Sequence, residues 1–250
     1  MRNKLLLEIA RCSLVQHCID RPTHDHPCFT IVHSQGSGSV DHHQVPEPWS
    51  GHIDHAPILF VASNPSISDQ DVFPTGQWSD EDITDFFNNR FGGGKQQWIR
   101  DGTKGLGKDG VHLRATHFWA GVKQRAIELL ERDVEPGVDY ALTEIVHCKS
   151  KSEIGMREAQ DFCVSRYLGR ILSMSDASII VVLGKPAREA LETELGIPKD
   201  RTMHGPAGLW GRERIVTFLP HPNAHQPRTF VKCVPENELR TMRVFLRREM

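Results

Sequence analysis

The sequence predicts an α/β protein, a three-layer α/β/α fold around a mostly parallel, four-stranded central sheet. Short continuous apolar runs at residues 57–62 and 178–183 have the pattern of strands buried on both faces. These runs alternate with amphipathic stretches of helical period. Such alternation implies parallel strands with helices on both faces. The length of 250 residues can enclose a sizeable core, and 38% hydrophobic with 25% charged residues is an ordinary globular balance.

Residues 1–56 are expected to form an irregular segment packed on the domain, a helix over about 4–18 followed by a long polar connection. They hold eight of the 14 histidines, the Gly36-Ser37-Gly38-Ser39 run and the proline-spaced Val45-Pro46-Glu47-Pro48. Residues 57–250 are expected to form one domain. The first strand is 57–62. Ser79-Asp80-Glu81-Asp82 resembles a capping box opening a helix over 83–91. Residues 92–115 are rich in Gly and Lys and predict a loop. Thr116 caps a helix over 117–131, with Trp119, Val122, Ala126, Leu129 and Leu130 on one face. There follow a strand at 140–146, a helix at 157–174, a strand at 178–183 and a helix at 186–195. A strand at 214–219 and a helix at 236–248 complete the chain.

No apolar stretch approaches the roughly 20 residues that span a bilayer. Glu8 interrupts Leu5-Leu6-Leu7 too early for a signal peptide, so a cytoplasmic location is expected. Thiols stay reduced there, and the six cysteines read as buried thiols or metal ligands. With 30 Lys+Arg against 32 Asp+Glu, the net charge of −2 excludes a wholly basic nucleic-acid coat protein but permits a local basic groove.

In parallel α/β folds ligands bind beyond the carboxyl ends of the strands. Three strands there lead into a polar residue before proline: Asn64-Pro65, Lys185-Pro186 and His221-Pro222. Proline holds the preceding residue extended. Lys185 is read as a helix start with proline in its first turn. Asn64 and His221 are the candidates for chemistry, with ordinary turn formation as the alternative reading.

Three blocks resemble the uracil-DNA glycosylase superfamily, over roughly residues 55–230. Leu59-Phe60-Val61-Ala62-Ser63-Asn64-Pro65-Ser66 is similar to the first active-site motif in its Asn-Pro form. The stretch 143–148, followed by Cys163, Tyr167-Leu168 and Val181-Val182-Leu183-Gly184-Lys185-Pro186-Ala187, resembles the iron–sulfur branch. His221-Pro222-Asn223-Ala224 resembles the second active-site motif. The resemblance implies hydrolytic base excision from a flipped-out nucleotide. Asn64 would orient the attacking water, and His221 would donate a hydrogen bond to the departing base. Ser63 and Ser66 would lie beside the base, and Phe73 or Trp78 would stack on it. For both rings, plain core packing is the alternative.

Two features depart from that pattern. Glu144 stands where the iron–sulfur branch has an Asn that reads uracil. A carboxylate only accepts hydrogen bonds and suits an amino group such as cytosine N4, which points to a modified cytosine. A one-residue shift would instead turn Glu144 away from the pocket. The resemblance also implies a four-iron cluster on Cys12, Cys18, Cys148 and Cys163, with Cys28 as a further option, although Cys12 and Cys18 are not spaced C-x2-C. Zinc on Cys18, Cys28 and His24 or His26 matches no standard spacing. Gly102-x4-Gly107-Lys108-Asp109 only mimics a P-loop, because Asp109 replaces the Mg²⁺-binding Ser or Thr.

DNA is the expected partner, with no membrane, and the protein is expected to be a monomer. Lys95, Arg100, Lys104, Lys108, Arg114, Lys123 and Arg125 are set among glycines and are expected to follow a phosphate backbone. In the loop after the second motif, Asn223, His225, Gln226 and Arg228 are placed to contact DNA or enter the vacated stack. The alternative reading for the whole chain is a nucleic-acid- or nucleotide-binding protein that does not hydrolyse.

Overall fold

The computed structural model describes residues 2–21, 25–199, 201–225 and 228–249. Its strands are β1 (Ile58–Ala62), β2 (Ile99–Arg100), β3 (Lys104–Gly105), β4 (Tyr140–Glu144), β5 (Ile179–Leu183), β6 (Met203–Leu209) and β7 (Arg212–Leu219). The central sheet runs β4-β1-β5-β7-β6, while β2 and β3 form a separate hairpin. The first four of those strands are parallel and β6 is antiparallel to β7. The sheet therefore has one strand more than the sequence predicts. Met203-His204-Gly205-Pro206-Ala207-Gly208-Leu209 lacks an apolar run because it is a partly exposed edge with a register shift at 204/207. Gly and Pro are tolerated at such an edge.

Side chains alternate along each buried strand, and the two faces feed separate cores. Leu59, Val61, Ile180, Val182, Val216 and Phe218 face one side. They pack with α1 (Arg2–Ala10), α2 (Ser13–Asp20), α3 (Phe29–His33), α4 (Asp80–Asn88), α6 (Met156–Cys163), α7 (Gly169–Met174) and α8 (Lys185–Leu195). Ile58, Phe60, Ile179, Val181, Leu183 and Ile215 face the other side, against α5 (His117–Leu130), α9 (Phe230–Cys233) and α10 (Glu236–Glu249). Fully burying each such side chain contributes about 1.5–3 kcal/mol, which makes the two faces the main source of stability. A π turn at Val164–Leu168 joins α6 to α7 where a single helix over 157–174 is predicted. No described helix is long and apolar enough to cross a membrane.

The first 56 residues are more ordered than the sequence suggests. The predicted helix over 4–18 is two helices, broken where Cys12 takes an extended ψ of 117°. A third, α3, follows, and Leu6, Ile9, Ile31, Trp49 and Ile53 are fully buried. Residues 44–50 then run beside the outer edge of β4. The Glu47 amide donates to the His147 carbonyl at 2.8 Å, Ser50 and Leu142 exchange backbone bonds, and Thr143 Oγ1 donates to the Pro48 carbonyl at 2.7 Å. That covering closes an otherwise open sheet edge and carries Glu47 to the end of β4.

Candidate active site

A cavity of about 870 Å³ opens at the carboxyl edge of the sheet. The segments after β1, β4 and β7 supply Asn64, Glu153 and His221 to its wall, and the first turn of α5 supplies Phe118 and Trp119. Thr116 caps α5 by accepting the Trp119 amide proton, which fixes that turn at the rim. Of the residues singled out from sequence, Ser63, Asn64, Ser66, Glu144, His221 and Asn223 line this one cavity.

Asn64 is held by its own amide. Its Nδ2 donates to Ser150 Oγ at 3.0 Å and lies 3.2 and 3.4 Å from the carbonyls of Pro65 and Cys148. With Nδ2 spent on protein acceptors, Oδ1 is left to accept a hydrogen bond from a ligand or water. Next to it, buried Ser63 donates to Glu153 Oε1 at 2.5 Å.

His221 stacks on Phe118 with centroids 5.4 Å apart and planes 27° apart. Burial pulls its pKa below the usual imidazole value; Glu153 opposes that shift and Arg125 adds to it. Its Nδ1 accepts the Asn223 amide at 3.2 Å, so the neutral ring carries its proton on Nε2, the nitrogen left to donate. The loop that bears His221 is tied from below by buried Arg125. That side chain donates to the Arg228 carbonyl (Nε, 2.8 Å) and the Pro220 carbonyl (Nη2, 2.9 Å). Two glycines make room for the loop. A Cβ on Gly121 would lie 2.9 Å from Pro222 Cβ, and Gly184, at φ +86°, would meet His221 Cβ at 3.3 Å.

The inner wall is a buried set of charges that the sequence reading misses apart from Glu144. Arg90 pairs with Glu47 and bonds to Ser50 Oγ at 2.7 Å, and Ser50 Oγ donates to Glu47 at 2.9 Å. Lys149 Nζ lies 3.9 Å from Glu47 Oε2 and 3.4 Å from the Phe73 ring centroid. Burial brings Lys149 down to about 8. The cations Arg90 and Lys149 keep Glu47 below the usual carboxylate range against its burial. Glu144, in contrast, is pushed well above that range by burial and by Glu47. Its Oε2 is buried without a hydrogen-bond partner. The one signal in the sequence for this cluster was the proline-spaced Glu47 segment.

Other expectations are corrected here. Neither Phe73 nor Trp78 lines the cavity. Both belong to an aromatic cluster with Phe86, and Phe118 and Trp119 present rings to the cavity instead. Lys95 sits on a different cleft, with Nζ bonded to Glu81 and Asp82. Lys104 is paired with Asp101 at 2.9 Å, and Arg100 lies 4.0 Å from the same carboxylate. Arg125 is buried, so it supports the loop and does not face a phosphate. Lys108 is exposed, its amide bonded to the Gln70 carbonyl, and Arg114 lines the cavity. His225 is exposed. Arg228 bonds back to the carbonyls of Pro222 and Ala224, which closes its own loop. Gln226 lies outside the described residues.

None of the six cysteines is in a disulfide. Cys148 is buried, and the thiols of Cys163, Cys12, Cys28 and Cys18 all add to the upward shift that burial gives it. Even so, among the described residues no group of three or more His, Cys, Asp or Glu is arranged to hold a metal ion. Tyr167 Oη donates to Cys12 Sγ at 3.6 Å, and His26 packs edge-on against Phe162. The thiol chemistry of the predicted four suits iron, and the described residues show no preformed metal-holding group among them. His24, of the zinc alternative, lies outside the described residues. No protein-family model and no curated protein matches the chain.

Proposed function

We propose that the protein is a monofunctional DNA glycosylase, a hydrolase that removes a damaged or modified pyrimidine by cleaving its N-glycosidic bond. The observation that carries this reading is the meeting of Asn64 and His221 on one cavity at the carboxyl edge. The neutral His221 ring has Nε2–H left to donate. A base flipped into the cavity leaves with negative charge, and a fixed donor facing that charge is worth most in a site screened from water. Asn64 Oδ1 accepts a hydrogen bond from the attacking water and orients it. Phe118, already stacked on His221, offers an aromatic face to the base. The partial positive charge at the amino end of α5 favours a nearby phosphate.

Glu144 bears on which pyrimidine is removed. Burial and Glu47 push its carboxyl group toward the neutral form, and a neutral carboxyl donates as well as accepts. The acceptor-only argument against uracil therefore applies only when the group ionises. Uracil and a modified cytosine both stay in the substrate class, for base-excision repair or for defence against modified phage DNA. Six cysteines outside any disulfide agree with action in the cytoplasm.

The test is a base-release screen over oligonucleotides carrying uracil, cytosine and modified cytosines, together with phage DNAs. On the base that is released, His221→Ala and Asn64→Ala should each lower the single-turnover rate by about 10²–10³-fold, with DNA affinity retained. Release of no base from any substrate would favour a pocket that binds without hydrolysing. Iron and acid-labile sulfide analysis of freshly purified protein checks Cys12, Cys18, Cys148 and Cys163; an iron-free protein leaves them as core thiols.

A further inference from the structure

We infer that Glu153 is the general base of this site, the carboxylate that takes the proton from the water Asn64 orients. The inference rests on the glycosylase reading above and adds a catalytic residue to it. An amide cannot accept a proton from water, so the Asn64–His221 pair lacks a base. The carboxyl groups that line the cavity among the described residues are Glu47, Asp71, Glu144 and Glu153. Glu47 is engaged by Arg90 and Ser50. Glu144 is sealed at the inner wall. Asp71 lies beside Gly105, on the Lys149 side. Glu153 alone of the four touches the Asn64 loop, through the 2.5 Å bond from Ser63 Oγ, and it is the carboxylate whose charge acts on His221. One of its oxygens, Oε1, is fixed by that bond. Oε2 remains for water.

The backbone pays attention to this placement. Ser152 and Glu153 are consecutive non-glycine residues in the left-handed region, at φ 51° and 58°. Such strain persists only where the surroundings over-determine it. Here the segment is pinned on both sides. The Ser150 amide donates to the Pro65 carbonyl at 3.1 Å, next to Asn64. Gly155, at φ +74°, lies so close to α3 that a Cβ would meet the Ile31 nitrogen at 2.3 Å. The result is a carboxylate held over the end of β1 on a short, clamped turn.

The step balances without a further reactant. The C1′–N bond breaks, and its electron pair leaves with the base, whose charge His221 stabilises and which solvent then protonates. The water oxygen bonds to C1′, and its proton passes to Glu153 before returning to solvent.

The experiment is single-turnover excision from the oligonucleotide that the wild type processes, comparing wild type, Glu153→Gln and Glu153→Ala with and without added azide. Azide attacks C1′ without needing a base. Glu153→Gln should slow release by about 10²–10⁴-fold while DNA binding stays near wild type. Glu153→Ala should be equally slow, and azide should restore its rate and yield a C1′ azide adduct by mass spectrometry. A Gln variant within about threefold of wild type would overturn the assignment, and so would an Ala variant that azide does not accelerate, which marks a merely structural tether for Ser63. A wild type that releases no base from any substrate overturns the glycosylase reading itself, and this assignment with it.

Discussion

Glu144 shows how much a single buried carboxyl group decides. It is 3% exposed and its Oε2 has no partner, so ionising it inside the protein costs more than ionising it in the unfolded chain. Burial and Glu47 raise its pKa. The folded state then holds this proton more tightly, and the contribution to stability is present at low pH and lost as pH rises above the unfolded value near 4.5. Glu144→Gln keeps the shape and removes that ionisation. Thermal melts of the two proteins should nearly coincide near pH 4 and separate as pH rises, with the Gln variant the more stable. A constant offset across the range would show that Glu144 ionises freely. The position of Glu144 at a strand end was legible in the sequence. Its protonation was not, because Glu47, the nearby carboxylate, arrives from a segment about a hundred residues earlier.

At the scale of elements, the loop after β7 is shaped by α5 as much as by its own sequence. Gly121 makes this testable, because two effects of one substitution oppose each other there. Replacing a mid-helix Gly by Ala favours the helix by about 1 kcal/mol. The new Cβ, however, would stand 2.9 Å from Pro222 Cβ and push on the residue that follows His221. Gly121→Ala should therefore leave the melting temperature nearly unchanged and lower the excision rate by about tenfold or more, since small misplacements of a catalytic group are costly. A variant that melts higher with full activity would mean that the loop yields freely. The same loop shows why some elements were readable and others not. β1 and β5 are continuous apolar runs, and the end of β7, Ile215–Leu219, is apolar apart from Thr217, so local composition identifies them. β6 has no such run, and the break at Cys12 has neither Gly nor Pro to mark it. Phe73 and Trp78 misled because they follow Asn64 closely in sequence, whereas the stacking ring, Phe118, reaches His221 only through the fold.

For the whole molecule, a net charge of −2 demands that any DNA contact be local. The sequence offers seven basic residues between 95 and 125, and full engagement of all seven would give a salt slope of about −6 for duplex DNA. The structure removes most of them. Arg125 is buried, Lys95 is bound by Glu81 and Asp82 on another cleft, and Lys104 is paired with Asp101, whose carbonyl also accepts from Lys123 at 3.0 Å. Arg100 also lies by Asp101, which leaves Arg114 on the cavity wall and Lys108 next to Gln70 as the cations best placed at its mouth. Two or three phosphate contacts correspond to a slope of roughly −2 to −3 in log K against log salt. Fluorescence anisotropy over a salt series should give that value, and Arg114→Gln should reduce it by about one. Lys95→Gln should leave the slope unaltered, because that lysine is already neutralised by Glu81 and Asp82 of α4. A slope near −6 would place DNA across the whole glycine-rich segment and require its ion pairs to open on binding.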